Sequence, residues 1–111
     1  MKIPKSFKQY GQEVTVRYKK NLSNKHGSWG KCYYDSNKIE IQDNKYEGID
    51  LPDDKLEETF YHELVHTILY FAGETELRGN EQFVDVFSGL LHQALTTAVY
   101  KKDKINGKTK R

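Results

Sequence analysis

The sequence predicts an α+β fold, a small antiparallel sheet with a hairpin followed by two long antiparallel helices. Three observations carry that expectation. Short alternating or β-branched runs recur within the first 42 positions, at 13–18, 31–35 and 38–42. Apolar residues then recur at helical spacing in two long runs separated by a short polar stretch. Strands precede helices instead of alternating with them, which favours α+β over a parallel α/β sheet.

Taken in order, residues 13–18 (Glu-Val-Thr-Val-Arg-Tyr) alternate and are β-branched, as a half-buried strand requires. Residues 21–30 carry Ser, Asn, Gly and His and read as a loop. Residues 31–35 and 38–42 read as two short strands joined through Asp35, Ser36 and Asn37, which is hairpin chemistry. Ile39 and Ile41 alternate with Glu40 and Gln42, predicting a sheet with one wet face. Residues 43–52 form a loop. Asp54 and Glu57 have capping-box spacing and start a helix that runs to about Phe71 and stops near Gly73. Its expected buried stripe is Leu56, Phe60, Leu64, Ile68 and Phe71. After a polar connection over 74–79, Asn80 caps a second helix to about Tyr100. Phe83, Phe87, Leu90, Leu91, Ala94 and Ala98 are its expected apolar face.

With 111 residues there is room for one domain, assigned to 1–100, with a basic tail over 101–111. Apolar residues are 36%, but aromatics at 13% bury enough area per side chain for a modest core. The lone Cys32 excludes an internal disulfide and favours a reducing compartment; its own pattern suggests only a small strand residue. No run is long and apolar enough for a membrane helix, and the first ten residues lack the apolar core of a secretory signal, so a cytoplasmic protein is expected. The net charge of +2 is unevenly spread. Residues 1–40 carry a net +6, residues 41–100 a net −9 and the tail +5. The acidic block suits a cation site, and the basic ends could meet nucleic acid or an acidic partner.

That acidic block contains His62-Glu63-Leu64-Val65-His66. Two histidines four residues apart on a helix project to one side and can hold one metal ion, and the glutamate after the first can reach a water on it. A catalytic zinc site usually takes three protein ligands and keeps one position open. Glu81, at the start of the second helix, is the best third ligand, with Glu74 and Glu76 as fallbacks on the connection. Asp85 lies one turn beyond Glu81 and can orient one of the histidines from outside. Ser88 and His92 extend the same polar stripe.

The pattern His-Glu-x-x-His at 62–66, followed by Glu81-Gln82-Phe83-Val84-Asp85, resembles the zincin metallopeptidases, and within them the gluzincin branch. The small size and preceding hairpin make it similar to minimal phage- or mobile-element-encoded peptidases of the ImmA/IrrE type. The likeness is one of layout over residues 30–100 and of residue identity only at 62–66 and 81–85. It implies zinc held by His62, His66 and Glu81, with Glu63 as the base that activates water and Asp85 as the orienting carboxylate. It implies a peptide or protein substrate. Leu69 and Ala72 stand where the metzincin pattern needs Gly and His, so that branch is rejected. The oxyanion-steadying residue is left open among His26, Tyr33, Tyr34, Tyr46 and Tyr70. The strand at 39–42 is expected to offer an edge for an extended peptide. Two other readings stay open: a zinc hydrolase of non-peptide substrates, and a metal-stabilised regulatory or nucleic-acid-associated module without hydrolytic activity.

Overall fold

The structure, a computed structural model, describes residues 3–22 and 29–102. His26 and most of the basic tail therefore lie outside the described residues. The architecture is α+β. Among the described residues six strands come first: β1 (Ser6–Gln9), β2 (Gln12–Lys19), β3 (Gly30–Tyr33), β4 (Lys38–Gln42), β5 (Lys45–Tyr46) and β6 (Ile49–Asp50). The helices α1 (Asp53–Ala72), the single turn α2 (Thr75–Arg78) and α3 (Glu81–Thr97) follow. No helix among the described residues is long and apolar enough to cross a membrane.

The main sheet has the order β1-β2-β4-β3. The expected hairpin forms, with Cys32 opposite Ile39 across β3 and β4. The sheet is mixed, however, and not antiparallel throughout, because β4 runs parallel to β2. After β2 the chain passes to the outer edge, forms β3 there and returns through β4 into the gap between β2 and β3. Burial explains this placement. Ile39 and Ile41 are fully buried, but Glu40 and Gln42 are buried as well, so β4 has no wet face. A strand covered on both faces takes the centre of a sheet. Its polar side chains are satisfied there: Tyr33 donates its hydroxyl to Glu40 Oε1 at 3.0 Å, and Gln42 Nε2 donates to the Lys45 carbonyl at 3.1 Å.

Two hairpins arise where none was expected, and the connection expected over 74–79 contains the short helix α2. Tyr10 (φ 51°) and Gly11 (φ 77°) close β1 onto β2, and Glu47 (φ 51°) and Gly48 (φ 79°) close β5 onto β6. Two consecutive left-handed residues are the two-residue hairpin turn that matches strand twist. Each carries its glycine second, but Tyr and Glu in the first position hide the signal.

Helix α1 lies across the sheet. Phe60 meets Phe7 edge-on at 6.1 Å and joins Val14, Val16, Ile39 and Ile41 in the core. Its N-cap is Pro52, with no side-chain cap bond, so Asp53 and Asp54 act through the helix dipole and the capping box at Asp54 does not form. Gly73 (φ 76°) ends it, its N–H reaching the Leu69 and Tyr70 carbonyls. Ile68, expected inside, is exposed. Asn80 caps α3 as expected, accepting from the Phe83 N–H at 3.0 Å. That helix stops at Thr97, three residues short of Tyr100, where Ala98 turns extended.

The larger correction concerns the face that α3 presents. The expected core residues Phe87, Leu90 and Ala94 are exposed, and only Val84 and Ser88 are buried. The polar stripe, not the apolar one, turns toward α1.

Candidate metal centre

The two long helices meet through that stripe, in opposite sequence order. His62 faces Glu81 and Asp85, while one and a half turns earlier on α1 Glu57 faces His92 at 3.0 Å. His62 Nδ1 lies 2.9 Å from Asp85 Oδ1. An aspartate there accepts a hydrogen bond from Nδ1–H and leaves Nε2 with its lone pair. That Nε2 is 3.2 Å from Glu81 Oε1, and His66 Nε2 is 3.2 Å from Glu81 Oε2. Ligand atoms of His62, His66 and Glu81 all lie within 4.8 Å of one another. Ligand atoms arranged tetrahedrally at zinc distances of about 2.0–2.1 Å are ~3.3 Å apart, so the group is of the right size for one ion. Two imidazole nitrogens and one carboxylate form a donor set suited to zinc. Support is uneven, however: His66 Nδ1 is buried with no hydrogen-bond partner among the described residues. Only His62 has the carboxylate that a metal-bound imidazole commonly leans on. Glu74 and Glu76 sit at the start of α2 and belong to no such group among the described residues.

The Glu63 side chain lies against β3, in contact with Cys32 and close to Gly30. It is 8% exposed. Burial raises its carboxyl above the usual glutamate range; a hydrogen bond from Cys32 and the nearby imidazoles oppose the rise, and Glu81 adds to it. Cys32 Sγ donates to Glu63 Oε1 at 3.1 Å and is also close to the Thr67 hydroxyl. Burial, and then the Glu63 charge, push the thiol well above its ordinary range, so Cys32 acts as a donor and not as a thiolate. Its sequence neighbourhood gave no sign of this, because the contact joins residues 31 apart.

Gly30 was equally silent. A methyl group at its Cα would lie 2.8 Å from both Glu63 Cγ and Thr59 Cγ2 and 3.0 Å from Glu63 Oε2. The start of β3 therefore presses directly on the Glu63 side chain, and only glycine fits. Gly30→Ala is expected to destabilise the fold by about 1–3 kcal/mol in a denaturant titration, because the crowded atoms must move. Glu63 must shift with them. Unchanged stability would show that β3 does not hold Glu63 in place.

A cleft of about 900 Å³ opens beside this centre. The first half of α1 forms its floor, with Asp54, Lys55, Glu58, Thr59, His62 and Glu63. Trp29 and Gly30 make one wall, and α3 from Asp85 to Thr96 the other. Trp29 packs edge-on against Tyr46, and the Lys55 ammonium sits 4.6 Å from its ring. None of Tyr33, Tyr34, Tyr46 and Tyr70 lines the cleft. Tyr34 stacks on Tyr70 at 4.7 Å, Tyr33 is engaged by Glu40 and Tyr46 packs on Trp29, so these four candidates for steadying an oxyanion stand outside the lining. The β4 edge expected to bind peptide is also absent, since β4 is flanked on both sides; β3 is the outer strand on this side of the sheet. Comparison with known proteins finds no matching family model, no matching curated protein and no matching solved structure.

Proposed function

We propose that this chain is a small zinc-dependent metallopeptidase that hydrolyses a peptide laid along the cleft beside β3. One observation carries the reading: His62, His66 and Glu81 form one group that could hold a metal ion, and His62 lines the floor of the cleft together with the buried Glu63. The resemblance of 62–66 and 81–85 to the gluzincin pattern supports it. A zinc ion held by these three residues supplies Lewis-acid polarisation and an acidified water. The chain's own groups do the rest. Asp85 fixes the His62 tautomer through Nδ1. Cys32 engages Glu63 Oε1, so Oε2 is the oxygen that takes the proton from the attacking water and delivers it to the leaving amine. Burial of Glu63 makes its carboxylate a better proton acceptor than one in open water. The outer edge of β3 is where an extended substrate would add as a further strand.

A cytoplasmic setting, with its single unpaired cysteine, is part of the same proposal. Nucleic acid is a poor occupant of the cleft, where, among the described residues, Asp54, Glu58, Glu63 and Asp85 outnumber the one lining lysine, Lys55.

The test is to incubate the zinc-loaded protein with a mixed peptide library and read new termini by mass spectrometry. Cleavage should appear, stop on chelation with phenanthroline and return with added zinc. Cleavage of esters or other amides with peptides left intact would move the assignment to a non-peptide hydrolase. Tight zinc binding without any hydrolysis would leave a metal-stabilised module.

A further inference from the structure

We propose that the outer face of α3 is the contact surface for a second copy of this chain, packed as an antiparallel helix pair about a two-fold axis. Phe83, Val86, Phe87, Leu90 and Ala94 recur at the spacing of one helix face. At 3.6 residues per turn they span an arc of about 100°, on the side of α3 away from Asp85 and the cleft. Val86 is 57% exposed, Phe87 47% and Leu90 63%. Phe83 and Phe87 stack on each other at 5.6 Å, which holds both rings along the stripe. A contiguous apolar patch of this kind marks an interaction surface.

Charge identifies the occupant. Residues 86–100 contain no Lys, Arg, Asp or Glu, in a chain that is 31% charged. A partner presenting a charged face would bury that charge with nothing to pair it, at a cost of several kcal/mol per ion. The occupant must offer an uncharged apolar strip of the same length, and α3 of a second copy offers one. Shape fixes the direction. In an antiparallel pair centred between Ser88 and Gly89, Phe83 of one copy meets Ala94 of the other, and Phe87 meets Leu90. Large then faces small at both ends of the strip. A parallel pair would put Phe83 against Phe83 and leave a gap at Ala94. The arrangement is isologous and closes on itself. It also covers the back of the helix that carries Glu81 and Asp85, while the cleft on the opposite side stays open. The strip from Phe83 to Ala94 is only about 17 Å long, so a micromolar dimer is expected and not a nanomolar one.

Sedimentation velocity on the full chain from about 5 to about 500 µM tests this. The wild type should show a monomer–dimer equilibrium. Leu90→Glu places a charge at the axis and should raise the dissociation constant by at least ~100-fold, with circular dichroism and melting temperature unchanged because the site is exposed. Phe83→Ala should weaken the dimer, and the exchanged pair Phe83→Ala/Ala94→Phe should recover it, since the two-fold swaps both partners. Three results overturn the proposal: a monomer at every concentration, self-association unchanged by Leu90→Glu, or no recovery in the exchanged pair.

Discussion

Glu63→Gln is expected to lower peptide hydrolysis by about 10²–10⁴-fold while zinc stoichiometry stays at that of the wild type. The amide keeps the shape of the side chain and an acceptor for the Cys32 thiol, which lies 3.1 Å from Oε1. What it loses is the capacity to take a proton. Nor should the fold suffer. Burial already disfavours the charged form of Glu63, so its folded-state pKa is raised. A raised carboxyl destabilises the fold once pH exceeds the unfolded value, and the penalty vanishes below that value. The glutamine variant should therefore melt no lower than the zinc-free wild type at neutral pH, with the two converging in acid. Retained turnover would remove Glu63 from the chemistry. Lost zinc binding would instead mean that this carboxylate is a ligand, which its place against β3 argues against.

How far the sequence discloses this molecule depends on the range of the interaction. The pentapeptide 62–66 and the one-turn step from Glu81 to Asp85 are local, so helical geometry alone places each pair on one face. The caps at Asn80 and Gly73 are local too, and the structure has both. The contacts that finish the site are not local. Cys32 and Gly30 meet Glu63 only because β3 sits at the sheet edge beside α1, and that follows from β4 taking the centre. Register across a parallel pair is set by burial on both faces, which Glu40 and Gln42 disguise by being polar and yet covered. The facing of α3 misleads for a related reason. Periodicity finds an apolar stripe but does not say whether the chain itself covers it, and here the side carrying Glu81, Asp85 and His92 turns toward α1 while Phe87 and Leu90 stay outside.

Replacing Glu81 by alanine separates ligation from support. Glu81 is the first residue of α3, with its side chain 65% exposed, yet its two oxygens are each 3.2 Å from a histidine Nε2. An acid at a helix start is common simply because the dipole favours it, and such an acid can be removed at a cost of no more than ~1 kcal/mol. A zinc ligand cannot. Loss of Glu81 leaves two imidazoles, too few for a stable zinc site, and affinity measured by competition with a chromogenic chelator should fall by more than ~100-fold. Asp85→Asn provides the contrast. Asparagine can still accept the His62 Nδ1 proton but no longer raises the basicity of the ring, and removal of such outer partners costs about 10–100-fold in affinity. The expected order is therefore wild type, then Asp85→Asn, then Glu81→Ala, with thermal stabilisation by added zinc shrinking in the same order. Full occupancy in Glu81→Ala would move the third ligand to another acid. An Asp85→Asn effect as large as that of Glu81→Ala would mean that the aspartate, 2.9 Å from Nδ1, is needed for ligation itself and not only for orienting His62.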